Sequence, residues 1–247
     1  IRKNSLIDFI NINASGKIAM KLSQGDGIIG VSICSSDDDV LLAASGGKCV
    51  RFQVTDVRVF KGRSSQGVRG MKLDEGDRVI SMTILRHTGV SPTERDGYFG
   101  RKRDDIIPEL TSERRRELEK QEEFLLTIRD DGFGKRTSAH DYRVTRRGGK
   151  GVINIDVGKN GKVVGAFPVA ENDEIMLVTD GGQLIRCAVK DISKVGRGAR
   201  GVRIFRLSDK SRVVSVACLG IEAGNDDAEQ IPGEKSIEMT DPLEEEG

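Results

Sequence analysis

The sequence has no tryptophan, two tyrosines and two histidines among 247 residues, and each shortage closes off a class of chemistry. Tyr98 and Tyr142 are too few to stack successive bases, which argues against single-strand or RNA base readout. His87 and His140 stand beside neither a convincing nucleophile nor a metal cluster, so no catalytic and no metal-ligating residue is assigned. The four cysteines, 34, 49, 187 and 218, form no C-x-x-C pair. They are expected as reduced, half-buried strand residues in a reducing cytoplasm, not as a disulfide framework or a zinc site. No apolar run approaches the roughly eighteen residues of a membrane span, and nothing resembles a signal peptide, so a soluble protein is expected.

Charge is abundant, and it is divided unevenly. The formal net charge is +1, yet residues 221–247 hold ten acids against one base, Lys235. Residues 1–220 therefore carry an excess of about ten positive charges. Two readings fit: a polyanion-binding body with an acidic, disordered tail able to compete for its surface, or an ordinary surface with a solubilising tail.

The chain repeats itself. "VLLAASGGKCVRFQVTDV" (40–57) aligns without a gap on "IMLVTDGGQLIRCAVKDI" (175–192), matching Gly46 and Gly47 to Gly181 and Gly182, Arg51 to Arg186 and Asp56 to Asp191. "FLLTIRDDGFGKRTSAHDY" (124–142) puts Gly132, Arg136 and Asp141 in the same register, and "IRKNSLIDF" supplies Lys3 and Asp8. The register aspartates are spaced by 48, 85 and 50 residues, so the middle step contains an insertion at about 87–121. That insertion balances eight acids with eight bases, and its second half, 110–123, reads as a charged helix with pairs such as Arg115 and Glu119. It is expected as a surface insertion or a partner-docking helix.

Within each repeat, alternating or fully apolar runs such as "RVISMTIL" (78–85) and "KVVGAFPV" (162–169) are separated by glycine-rich turns, which is strand chemistry. Repeats of about 50 residues with several strands match one propeller blade, and a blade buries both faces only by stacking on its neighbours. Three copies and a fragment are too few to close a ring comfortably, so part of a larger domain, without its amino-terminal blades, is expected. The domain boundaries expected are 1–220 for the blades and 221–247 for the tail.

After each register aspartate comes a basic, glycine-containing turn: 13–22, 60–73, 145–157 and 195–207. Their cations are Lys17 and Lys21; Lys61, Arg63, Arg69 and Lys72; Arg146, Arg147 and Lys150; and Arg197, Arg200, Arg203 and Arg206. Equivalent turns in stacked repeats should project from one edge as a band, suited to the phosphates of double-stranded DNA without sequence readout. The alternative is a set of solvated turns. Two apparent motifs fail: "GRGARG" (196–201) leads into β alternation where a dinucleotide fingerprint must open a helix, and "RRGGKG" has Gly151 after Lys150 where a nucleotide loop needs Ser or Thr.

"DVLLAASGGKCVRF", "GVRGMKLDEGDRVISM", "DGFGKRTSAHDYRVTRRGGKGVI" and "GVRIFRLSDKSRVVSV", with the acidic tail, resemble the C-terminal domain of the DNA gyrase A polypeptide, from the bacterial type IIA topoisomerases. The resemblance covers nearly all of residues 1–220. It implies an all-β fold, a propeller-like β-pinwheel of about six strand-exchanging blades, interrupted here by one charged, partly helical insertion. It implies DNA wrapped on a basic rim in support of ATP-dependent negative supercoiling, in a cytoplasmic, nucleoid-associated A2B2 enzyme with the gyrase B polypeptide. The DNA-binding residues it favours are Arg146, Arg147, Lys150, Arg63, Arg69, Lys72, Arg197, Arg200, Arg203, Lys17 and Lys21. ATP, magnesium and the cleavage tyrosine would belong to the rest of the enzyme, leaving no cofactor in this segment. The family's Q-R-R-G-G-K-G box belongs to its first blade, whereas Thr145 opens a degenerate copy here, so the defining box is expected upstream of Ile1. The C-terminal domain of the A-type polypeptide of topoisomerase IV and a propeller serving only protein interaction are the alternatives.

Overall fold

Each apolar run of the second repeat becomes a strand. In the computed structural model, which describes residues 1–62, 65–208 and 211–220, β1 (Asp38–Ala44) and β2 (Lys48–Gln53) form an antiparallel hairpin. It turns at Gly47, whose φ of +82° is the left-handed conformation that glycine adopts without penalty. β3 (Val79–Arg86) pairs with the other side of β1. The third repeat gives β4 (Phe124–Arg129), β5 (Phe133–Ser138), β6 (Val152–Ile153) and β7 (Val163–Val169). The fourth gives β8 (Glu174–Thr179), β9 (Leu184–Ala188), β10 (Val202–Arg203) and β11 (Val213–Leu219). The acidic tail and Arg63 lie outside the described residues.

The strands do not sort by repeat. The sheet orders are β3-β1-β2-β6, β10-β5-β4-β7 and β11-β8-β9, so each four-stranded blade takes its outer strand from the repeat that follows. β6 pairs with β2 through Lys48 opposite Ile153 and Cys49 opposite Val152. β10 pairs with β5 through Val202 opposite Gly134 and Arg203 opposite Phe133. Blades completed by their successors make this all-β fold a β-pinwheel.

Alternation explains the stacking. In β1, Val40, Leu42 and Ala44 face one core with Phe52, Val57 and Met71, while Leu41 and Ala43 face the next blade and meet Leu125, Ala139, Tyr142 and Ala166. Leu126 and Ile128 of β4 then turn away from that core toward Ile175, Leu177, Val189 and Ile192. With both faces covered, nearly every side chain of β1 and β4 is buried, and each buried Leu, Ile or Phe contributes about 1.5–3 kcal/mol. Residues 1–36 form no β-strand beyond a 3-10 turn at Leu6–Phe9, and Leu6, Ile7, Ile10 and Ile18 are exposed. Within the described residues this first repeat has no hairpin of its own to pack against.

The insertion folds as two helices, where the sequence suggested one. α1 (Pro92–Tyr98) starts at a capping box, Ser91 accepting from the Glu94 N–H and Glu94 accepting from the Ser91 N–H. α2 (Ser112–Lys120) covers the expected helix. The expected Arg115–Glu119 pair does not form: Arg115 donates to the carbonyls of Gly97 and Tyr98, tying α2 to α1, while Arg114 pairs with Glu94 and Glu117. Leu118 is fully buried, and its carbonyl lies 2.9 Å from His140 Nε2, so the insertion is docked on the blades. The cysteines also differ from expectation. Cys49, Cys187 and Cys218 lie in strands, but Cys34 lies outside one, and both Cys34 and Cys218 are exposed.

Candidate nucleic-acid interface

All four register aspartates fall in 3-10 turns: Leu6–Phe9, Val54–Asp56, Ala139–Asp141 and Val189–Asp191. Each turn after the first carries the chain back alongside its predecessor, where Val59 bridges Lys3, Val144 bridges Arg51 and Lys194 bridges Arg136, all in parallel. The register base closes this junction. Lys3 Nζ donates to Val54 O at 2.8 Å, Arg51 Nη1 to Ala139 O at 2.7 Å, and Arg136 to Ile192 O at 2.6 Å and Lys190 O at 3.0 Å. Arg51 also bonds buried Asp39 at 2.8 Å, and Asp39 is met from its other side by His87 at 2.9 Å. The sequence aligned these bases without giving them a role, because a clamp between repeats looks like any other charged residue in one repeat.

The chain then turns at Gly67, Gly151 and Gly201, with φ of +87°, +79° and +87°. At these positions a Cβ would collide with a backbone carbonyl of the preceding blade: Ile1, Cys49 or Gly134. Only glycine brings the returning strand this close.

The four basic turns lie against one another in order. Lys21 N–H donates to Ser65 O at 3.2 Å, Lys72 N–H to Gly149 O at 2.8 Å, Gly148 N–H to Gly70 O at 2.5 Å and Asp156 N–H to Ala199 O at 3.4 Å. They border the outer strands β6 and β10, opposite the edge formed by β3, β7 and β11.

The side chains of the turns divide into two groups. Lys21, Lys61, Arg69, Lys72, Arg146, Lys150, Arg200, Arg203 and Arg206 are exposed. Lys17, Arg147 and Arg197 are half-buried and spend donors on the protein: Lys17 on the carbonyls of Asp8 and Asn11, Arg147 on those of Asp56 and Arg69, Arg197 on that of Ile153. Arg200 and Arg203 both lie over the Phe133 ring, 5.2 and 5.3 Å from its centre. Arg63 cannot be placed with either group, being outside the described residues. Beneath the last turn, fully buried Lys135 donates to the carbonyls of Gly196 and Arg197, and burial pulls its pKa down from 10.5 to about 8 against the opposing pull of Asp141. Carboxylates interrupt the band at exposed Asp156, within the third turn, and at Asp74, just past the second. Asp74 is hydrogen-bonded by Lys48 at 2.5 Å and lies 4.0 Å from Lys150; chiefly the bond and charge of Lys48, then the charges of Lys150 and Lys72, hold it below the usual carboxylate range.

Repeats that exchange strands and carry a continuous basic edge are matched by a known family. The family model described as "DNA gyrase C-terminal domain, beta-propeller" covers residues 8–35, 38–86, 123–170 and 173–219. The chain belongs to the DNA gyrase C-terminal domain family. Its four matched segments are the four repeats, and the insertion falls between the second and third. The DNA gyrase A polypeptide of Rickettsia bellii is 43% identical over 96% of this chain, and that of Escherichia coli K12 is 35% identical over 94%. The chain spans 28% and 23% of those relatives' length. The crystal structure of the C-terminal domain of DNA topoisomerase IV shares the fold, with a TM-score of 0.63 at 20% identity over 81% of this chain and 52% of that one.

Within this gyrase-family frame, three further cations join the site: two that sequence reasoning passed over, and Arg143, which the sequence grouped with Arg146, Arg147 and Lys150 but did not place among the DNA-binding residues. Arg95 and Arg101 come from the insertion, and Arg143 lies two residues past a register aspartate; with Lys48 and Arg197 they line a cleft of about 410 Å3. The insertion's balanced charge concealed two of them, and only their fold position distinguishes them.

Proposed function

We propose that this chain binds and wraps double-stranded DNA as the C-terminal domain of a gyrase A polypeptide. DNA follows the basic edge, so that strand passage by the remainder of the enzyme introduces negative supercoils. The observation that carries this reading is the continuity of the turns: four basic segments, far apart in sequence, hydrogen-bond edge to edge on the outer side of successive blades.

Bending duplex DNA, which is stiff over about 150 base pairs, costs several kcal/mol and must be offset by many phosphate contacts. The nine exposed cations of the turns among the described residues, Lys21, Lys61, Arg69, Lys72, Arg146, Lys150, Arg200, Arg203 and Arg206, supply them. Lys17, Arg147 and Arg197 hold the turns in place and keep their remaining donors for the backbone. No sequence readout is assigned, because Lys and Arg on glycine-rich turns meet phosphates without distinguishing bases.

The rest of the gyrase A polypeptide, gyrase B and their A2B2 assembly belong to the same reading, as does a cytoplasmic setting on the nucleoid. ATP and magnesium act in the other parts of that enzyme. The residues here do not fit a nucleotide loop, since 145–151 leads into the two-residue strand β6 and opens no helix.

A salt titration of duplex affinity tests the proposal. The log-log slope should be about −0.9 per phosphate neutralised, and affinity that stays flat with salt refutes it. Supercoiling of relaxed plasmid by the assembled enzyme separates this reading from a topoisomerase IV-type positioning domain.

A further inference from the structure

The cleft between the insertion and the basic turns is positively charged beyond what its own carboxylates balance. Lys48, Arg95, Arg101, Arg143 and Arg197 line it, against Asp96 and Asp141. The carboxylates are already engaged. Asp141 accepts from Arg101 Nη1 at 2.7 Å and from the Arg197 N–H at 2.8 Å; burial would raise its pKa, but these bonds outweigh that and hold it low. Asp96 lies 3.6 Å from Arg103.

Two of the arginines are left over. Among the described residues, neither the Arg95 nor the Arg143 side chain has a hydrogen-bond or ion-pair partner within the chain. Arg95 is half-buried, and burial chiefly, then the charges of Arg101 and Arg143, lowers its pKa against the opposing pull of Asp96 and Asp141; a further anion would offset the remaining cost of burial.

We propose that this cleft is a backbone-phosphate site, in which Arg95 of the insertion and Arg143 of the third repeat together take a phosphodiester of bound duplex DNA. The inference rests on the DNA-wrapping reading and extends it, making the insertion part of the nucleic-acid surface. Position supports it. The cleft is bounded by Gly151 and Ile153 on one basic turn and by Arg197 on the next, so a duplex passing from turn to turn crosses its mouth. It shares Arg143, Gly151 and Val152 with a neighbouring hollow lined by Arg146 and Lys150, so the two are continuous. At about 410 Å3 it holds a phosphodiester together with several waters, each of about 30 Å3.

The test is anisotropy of a fluorescent mixed-sequence duplex, titrated with salt, on the unaltered chain and on Arg95→Gln combined with Arg143→Gln. A matched control, Arg116→Gln with Lys120→Gln, removes the same charge from the exposed side of α2, away from the cleft. The cleft variant should bind roughly 5- to 30-fold more weakly with its salt slope reduced by about one phosphate, and the control should change less than about 3-fold. Arg95→Lys, which keeps the charge, should retain most of the affinity, and thermal unfolding checks that each variant is folded. Equal losses in both double variants, or unchanged binding by a folded cleft variant, overturn the site while leaving the rim reading intact. If the unaltered chain binds no duplex, the rim reading fails, and the site with it.

Discussion

The third and fourth repeats are built from the same pattern, yet one is clamped and the other open. Arg136 of the third repeat is 4% exposed and held by carbonyls of the fourth, whereas its counterpart Arg186 is exposed and, among the described residues, meets only Glu174 of its own hairpin. The sheets differ in the same way. The third repeat's sheet has four strands because β10 completes it, while the fourth's has three among the described residues. What a register arginine does is therefore set by the repeat that follows it.

The sharpest way to break that contrast is to remove the clamps one at a time. Arg51→Ala leaves Asp39 fully buried with only His87 for company and should cost about 3–5 kcal/mol in chemical unfolding. Arg136→Ala, whose acidic partner Glu171 is exposed, should cost about 2–3 kcal/mol. Arg186→Ala should stay within about 0.5 kcal/mol; a large loss there would show that the exposed pair with Glu174 carries weight of its own.

Glycine gives a second, somewhat smaller contrast. Gly151→Ala meets both a left-handed backbone and the Cys49 carbonyl, and should destabilise by about 3 kcal/mol. Gly182→Ala, at φ +77° in open space, should lose only about 1 kcal/mol. Equal losses would mean that the close approach of the returning strand carries no energetic weight.

A third test concerns the pH dependence set by Lys135, whose counterparts are Arg2 in the first repeat and the apolar Val50 and Ile185 in the second and fourth. Its folded-state pKa, about 8, lies below the ordinary 10.5. Between those values the unfolded chain holds a proton that the folded one has released, so stability should rise with pH across that window. Lys135→Val should flatten the rise by roughly 1–3 kcal/mol in unfolding measured at pH 7, 9 and 10.5. A curve identical to that of the unaltered chain would place the titration elsewhere.

The repeats, their strands, the register and the basic turns were legible because each rests on local pattern: alternation, glycine at hairpins, and a recurring aspartate. Which cations face solvent was not, since Arg146 and Arg147 are neighbours in sequence and only contacts with the preceding turn separate them. Lys135 was invisible because its register does not foretell burial: Val50 and Ile185 are apolar there, but Arg2 is a cation. The insertion's second helix was readable from its charge pattern. Its first helix, seven residues long and started by a capping box, was too short to show a period.

The borrowed outer strand also sets a timetable for the nascent chain. Cys49 leaves the ribosome about a hundred residues before its partner Val152, a delay of roughly 5–20 s at ordinary rates of synthesis. Throughout that interval the outer edge of β2 has no native partner, and an open edge invites pairing with another chain. Lys48 and Arg51 put two cations on β2, the residue type that discourages such pairing. Arg51, which later closes the junction, is thus one of two cations already on that strand while the edge waits.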